Sequence, residues 1–133
     1  MGLVYTALRL YNDGRDDIEE VDAKALVDTG AQNLCIPEHV ALQLRLQKRF
    51  DREVVLADGS RQLVPYFSGV RVELMGRGCV TGALGFGNQV LLGAIPMEDM
   101  DLIVHPQRFE VLPNPENPNI AVSLAMGFRT FCQ

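Results

Sequence analysis

No apolar run in this chain approaches the roughly eighteen residues that a membrane-spanning helix needs, and no long heptad pattern is present. Both absences argue against a membrane span. Positive charge is scarce, with 12 Lys and Arg against 17 Asp and Glu, a net charge of −5. Binding nucleic acid requires clustered cations to neutralise phosphates. The one short basic stretch, Arg45-Leu46-Gln47-Lys48-Arg49 with Arg52, reads as the solvated end of a helix, so nucleic acid is not an expected partner. Cysteine is limited to Cys35, Cys79 and Cys132, an odd number without motif spacing. That excludes a disulfide framework and a zinc cluster as expectations. The start, Met1-Gly2-Leu3-Val4-Tyr5-Thr6, reaches Arg9 without the basic lead and long apolar region of a secretory signal. Thr6 does not give Met1-Gly2 the usual myristoylation context, and Leu3-Val4-Tyr5 reads better as strand. The expected setting is a reducing cytoplasm.

What is present is a chain of 133 residues that is 47% hydrophobic and 22% charged. This is enough for one domain, residues 1–133, with a real core. Leu3 to Leu10 and Val21 to Val27 read as strands, separated by a turn with Asp13-Gly14 at its centre. The acids from Asp13 to Asp22 do not match a calcium loop and read as a solvated hairpin loop. Ile36-Pro37-Glu38 reads as a helix start, with the helix over His39 to Leu46 and Val40 and Leu44 on one face. His39 lies four residues after Cys35, but Pro37 interrupts the pair and no third group orients it, so it reads as a surface histidine.

Glu53 to Val64 reads as a hairpin with Asp58-Gly59 near its tip. Val70 to Leu74, Arg77 to Leu84, Gln89 to Gly93, Asp101 to Val104 and Phe109 to Leu112 read as further strands. The three small residues of the 77–84 segment weaken its reading. Pro113 to Pro118 is a stiff connector, and Ile120 to Leu124 reads as a final strand. The expectation is an all-β chain, mainly β with one or two short helices.

The most informative segment is Asp28-Thr29-Gly30-Ala31. It follows the apolar run Ala25-Leu26-Val27 and continues into Gln32-Asn33-Leu34-Cys35-Ile36-Pro37. An acid at the end of a buried type of strand, followed by a hydroxyl, Gly and Ala, presents one carboxylate on a tightly held turn. Gly30 permits close approach and a positive φ. Thr29 supplies a hydroxyl to pin the turn. About thirty residues later comes the Gly-tipped hairpin Ala57-Asp58-Gly59-Ser60, and then Val90-Leu91-Leu92-Gly93-Ala94, an apolar strand closed by Gly.

This series resembles the retropepsin-like aspartic proteases, the single-domain relatives of pepsin. Their pattern is a strand ending in Asp-Thr/Ser-Gly-Ala, a segment leading to a helix, a flap hairpin with Gly at its tip, and a hydrophobic-hydrophobic-Gly element beneath the catalytic loop. The four parts occur here in order from Ala25 to about Asp101. The resemblance is strongest to bacterial and archaeal members, whose flap tips also read Ala-Asn/Asp-Gly. It departs from the retroviral pattern at Gln32 and Asn33, and in Ala94-Ile95-Pro96-Met97-Glu98-Asp99 after the glycine.

The resemblance implies an acid-protease closed β-barrel, one lobe per chain, with Asp28 catalytic and Thr29, Gly30 and Ala31 forming the active-site turn. It further implies a flap at Ala57, Asp58, Gly59 and Ser60, and a structural glycine loop at Leu91, Leu92 and Gly93. Only one Asp-Thr-Gly is present, and Asp58-Gly59-Ser60 fits a hairpin tip better than a second copy. The implied enzyme is therefore a homodimer pairing two Asp28 carboxylates, an aspartic endopeptidase that needs no metal or cofactor and takes a peptide or protein in extended form. Val27, Leu56 and Ile95 are guesses at pocket walls. The alternative is a catalytically silent or latent dimeric β module that binds an extended peptide or protein partner.

Overall fold

The computed structural model describes residues 3–125. Met1 and Gly2, on which the lipidation question turns, and Cys132 lie outside the described residues. The elements in chain order are β1 (Val4–Asn12), β2 (Val21–Val27), β3 (Leu34–Ile36), α1 (Glu38–Gln43), β4 (Lys48–Val55), β5 (Arg61–Leu74), β6 (Arg77–Gly85), β7 (Leu91–Leu92), α2 (Ala94–Asp99), β8 (Leu102–His105) and β9 (Glu110–Pro113).

The fold is mainly β, built on a closed six-stranded barrel with two short helices. The sheet runs β1-β2-β7-β3-β6-β5-β4, and β1 also pairs with β5. That second pairing closes the ring and leaves β4 outside it, hydrogen-bonded only along β5. Closure gives each of the six ring strands a partner on both sides and leaves the outer side of β4 as the edge of this sheet. β8 and β9 form a separate antiparallel pair.

Strict alternation builds the wall. Val4, Thr6, Leu8 and Leu10 of β1 are buried while Tyr5, Ala7 and Arg9 face out. Facing partners come from the other five strands of the ring, with Ala25, Leu34, Ile36, Val70, Val72, Ala83 and Leu92 packed into one core. β5 is one strand of 14 residues rather than the two segments its sequence suggests. A register shift between Phe67 and Val70 bends it, so its first half forms the hairpin with β4 and its second half the barrel wall.

Four local readings are corrected. The first helix spans Glu38–Gln43, not His39 to Leu46, because Arg45 adopts a positive φ of 52° and turns the chain. Lys48 and Arg49 therefore open β4 and are not a helix end. Val40 and Leu44 are buried together as expected. The 89–93 strand shrinks to Leu91–Leu92, and a second helix, α2, follows at once. Ile120 to Leu124 is not a strand.

The segment after β9 is held by polar contacts around a buried cation. The Arg77 guanidinium donates to the carbonyls of Met100 at 3.3 Å, Asp101 at 2.7 Å and Asn117. Asp101, at a positive φ of 54°, accepts from Asn114 Nδ2 at 3.0 Å, Asn117 Nδ2 at 2.7 Å and the Val122 N–H at 3.1 Å. A buried guanidinium is costly unless its donors are used, and three carbonyls use them here. The Asn114 hydrogen bond, then those of Asn117 and Val122, with Arg77 beyond, hold the Asp101 carboxyl below its ordinary range. A lowered folded-state value means stability that is present above the ordinary carboxylate range and lost as pH falls through the folded value. Wild type should therefore lose unfolding free energy below about pH 4 more steeply than Asp101→Asn, while the variant is the less stable of the two at neutral pH. Urea denaturation across pH checks this; parallel acid slopes would remove Asp101 from the account.

Candidate active site

The turn after β2 sits on a braced platform. β7 lies between β2 and β3, parallel to β2 and antiparallel to β3. The chain from Asp28 to Asn33 arches over β7 and returns as β3. Four backbone hydrogen bonds tie the arch to the strand beneath. Leu26 N–H donates to Val90 at 2.9 Å and Asp28 N–H to Leu92 at 3.0 Å; Ala94 N–H donates to Ala31 and Ile95 N–H to Gln32, both at 2.8 Å. Leu91, Leu92 and Gly93 thus underlie Asp28, Thr29, Gly30 and Ala31.

Gly93 is the tightest point. A Cβ there would overlap the Asn33 carbonyl oxygen and come within 2.8 Å of the Ala31 oxygen, and both are backbone atoms that cannot swing aside. Its φ is −87°, so contact and not conformation demands glycine.

On the platform, Asp28 is exposed, and its Oδ1 accepts the Gly30 N–H at 2.9 Å. The Ala31 N–H closes the turn onto the Asp28 carbonyl at 3.1 Å. Two sequence expectations change. The apolar run before Asp28 does not bury the carboxylate in the single chain. Gly30 is not among the positive-φ glycines; a Cβ there would sit 3.1 Å from Asp28 Oδ1, so its smallness serves the approach to the carboxylate. The exposed Thr29 hydroxyl makes no hydrogen bond among the described residues.

A second apolar cluster lies outside the barrel beside this turn. Register pairs share a face, so Leu26, Leu91, Cys35, Leu84 and Tyr66 form one line across β2, β7, β3, β6 and β5. Asp28 lies two residues beyond Leu26. Cys35, Val64 and Leu84 pack together with Val54, Tyr66, Phe86 and Leu91 against them. The β4–β5 hairpin is the roof of this cluster. Its tip is the expected one. Gly59 has φ +84°, and Asp58 Oδ1 accepts from Ser60 N–H at 2.9 Å and Ser60 Oγ at 2.6 Å. The Ser60 hydroxyl holds the Asp58 carboxyl below its ordinary range, and the turn occupies it. Ala57 completes the exposed tip.

Of the guessed pocket walls, Val27 packs against the barrel core instead. Leu56 is half-buried in the hairpin tip, and Ile95 is 48% exposed beside Gln32. As a candidate catalytic group Cys35 has only His39 near it in the sequence, and His39 is exposed. Register was the missing signal: pairing to both Leu84 and Leu91 sets Cys35 in the outer cluster. Burial, and then the Asp28 charge, push its thiol up. Burial also pushes Cys79 up, to about 11. A raised thiol is the less reactive form, which argues against Cys35 and Cys79 as nucleophiles.

A cleft of about 870 Å³ lies elsewhere, along β1, β2 and the β5–β6 turn. Its charges are already engaged: Arg9 pairs with Asp22 at 2.9 Å, and Lys24 lies 4.8 Å from the Tyr5 ring centroid. In the acidic loop, the Arg15 hydrogen bond draws the Asp17 carboxyl down to about 2. Among the described residues no group of three His, Cys, Asp or Glu is arranged to hold a metal, and no helix is long and apolar enough to cross a membrane.

No protein-family model matches the chain, and comparison with curated proteins finds no relative. Gly93→Ala tests the platform directly. An unstrained Gly→Ala change stabilises by about 0.4–1 kcal/mol, whereas forced overpacking costs about 1–3 kcal/mol. Here the backbone overlap should win, and urea unfolding should show a net loss of about 2 kcal/mol. An unchanged midpoint would mean that the arch does not depend on this contact.

Proposed function

We propose that the protein is a retropepsin-like aspartic endopeptidase that works as a homodimer. The observation that carries this reading is Asp28: one carboxylate held on a braced turn, at the mouth of an apolar cluster roofed by a projecting hairpin. One chain supplies one such acid, because Asp58 is committed to its own turn. A two-fold axis through the turn supplies the second. Exposed apolar residues near the turn support such a contact. Ile95 is bonded through its N–H to Gln32, and Leu3, 69% exposed, precedes the Val4 that pairs with Val27.

Two facing carboxylates repel and hold one proton between them, so they titrate as a pair. The ionised Asp28 removes a proton from the bound water, whose oxygen attacks the peptide carbonyl carbon. The protonated Asp28 of the other copy gives its proton to the carbonyl oxygen. Collapse of the tetrahedral species breaks the C–N bond, and a proton passes from the dyad to the leaving nitrogen. Gly30 N–H keeps the carboxylate oriented, and Thr29 hydroxyls link the two turns. The hairpin tip at Gly59 closes over an extended peptide and excludes water.

Asp28→Asn keeps an oxygen for the Gly30 N–H and should fold as wild type. Its cleavage of a diverse peptide library between about pH 3.5 and 8 should fall by a factor of roughly a thousand or more. Equal cleavage by the variant would sink the proposal. Sedimentation at micromolar concentration should show a dimer; a strict monomer that still cleaves would remove the paired-acid mechanism.

A further inference from the structure

Among the described residues, the underside of the hairpin carries one charge with no opposite partner. Phe50, Arg52 and Val54 of β4 stand opposite Tyr66, Val64 and Gln62 of β5, on the face that continues through Leu84 and Cys35 to Leu26 and the Asp28 turn. Phe50 and Tyr66 stack with ring centroids 4.8 Å apart and planes 11° from parallel. The Arg52 guanidinium lies over both rings, 4.6 Å from the Tyr66 centroid and 5.5 Å from that of Phe50. Tyr66 can lie this way because β6 offers Gly82 beneath it, where a Cβ would overlap the phenol hydroxyl.

The acids of the same hairpin point the other way. Alternation sends Asp51 and Glu53 to the opposite face, and each has its own cation, Lys48 at 2.9 Å and Arg61 at 2.9 Å. Among the described residues no carboxylate lies within 4.0 Å of the Arg52 guanidinium. The aromatic stack supports that guanidinium, and among the described residues its donors make no hydrogen bond. A planar fork with free donors matches a carboxylate, which it can hold with two parallel hydrogen bonds.

We propose that Arg52 selects an acidic side chain in the extended peptide that enters beneath the hairpin. This rests on the endopeptidase reading for the identity of the groove's occupant, and it assigns that occupant's chemistry. An extended peptide directs alternate side chains to one face, so one substrate position falls under Arg52 when the backbone pairs with the hairpin. Phe50 and Tyr66 hold the guanidinium in place. Arg52 is exposed and touches the hairpin only through the Phe50 and Tyr66 rings, so its substitution should leave the barrel intact.

The test uses the intact dimer and sets of peptides that differ only by Glu, Gln or Lys at each position in turn. Wild type should prefer Glu over Gln at one position by about tenfold in kcat/KM, the size of one partly solvated charge-assisted pair. Arg52→Glu should reverse the order of the Glu and Lys peptides at that same position. A wild type that cleaves without an acidic preference, or a preference that survives Arg52→Glu, overturns the Arg52 assignment and leaves the endopeptidase reading standing. Equilibrium binding of the same labelled peptides to Asp28→Asn, with and without Arg52→Glu, separates the two ideas. Should wild type fail to cleave, binding of the Glu peptide that is lost in Arg52→Glu upholds the acidic selection and overturns the chemistry. Absence of both cleavage and Arg52-dependent binding overturns both.

Discussion

The close passage of Gly93 beneath the Asp28–Asn33 arch is the constraint on which the rest of the site depends. β7 is only two residues long, yet it joins β2 to β3 and so completes the ring of the barrel. The backbone atoms of Ala31 and Asn33 leave no room for a side chain at Gly93. The four hydrogen bonds around it are each worth about 1 kcal/mol net, and none exists unless the two chain segments touch. A loop carrying a carboxylate is ordinarily among the more mobile parts of a fold. Here it is laid on a sheet strand and carries that strand's rigidity to Asp28.

The same sheet serves two apolar environments. Residues pointing inward fill the barrel, and those pointing outward near β3 and β7 form the cluster of Cys35, Val64 and Leu84. This is why Leu34-Cys35-Ile36 is buried without alternation. The outer cluster needs a roof, and β5 provides it by extending beyond the ring through the bulge after Phe67. The extension is also what brings Arg52 and the Phe50–Tyr66 stack to the same face as Asp28. Hairpin, cluster and turn are therefore one construction, and the charge under the hairpin belongs to its inner surface.

Much of this was legible in the sequence, and the failures have physical causes. β2 reads correctly to the residue, because alternation and a following turn both mark it. The hairpin tip reads correctly because Gly59 takes the positive φ that Asp-Gly turns use. β3 is too short to show a period, and burial on both faces erases the alternation that would betray it. α2 begins directly at the glycine that ends β7, and Pro96 sits inside its first turn, so the segment looks like a loop. Arg77 gave no signal at all. Its partners are backbone carbonyls at Met100, Asp101 and Asn117, and no side-chain pattern announces a carbonyl acceptor. Ile120 to Leu124 has the composition of a strand, but a strand needs a neighbour, and the fixed contact there is the Val122 N–H held by Asp101.

The position of Asp28 was read correctly and its surroundings were not. The apolar run before it marks a buried type of strand, yet in one chain the acid that ends the run is exposed. The difference follows from where the barrel ends. Val27 turns its side chain into the core, and the next residue already stands at the rim, beyond the reach of the wall. The rim is organised from beneath and open from above. Among the described residues the carboxylate has one N–H donor and the Thr29 hydroxyl has no partner, and Ile95 is left half in solvent. A rim held this firmly gains nothing for the stability of a lone barrel, since its exposed groups bury no area. On the homodimer proposed above, a second copy of the same rim would supply the apolar area, the hydroxyl partner and the second acid together, and the rigidity of the rim would set them in place.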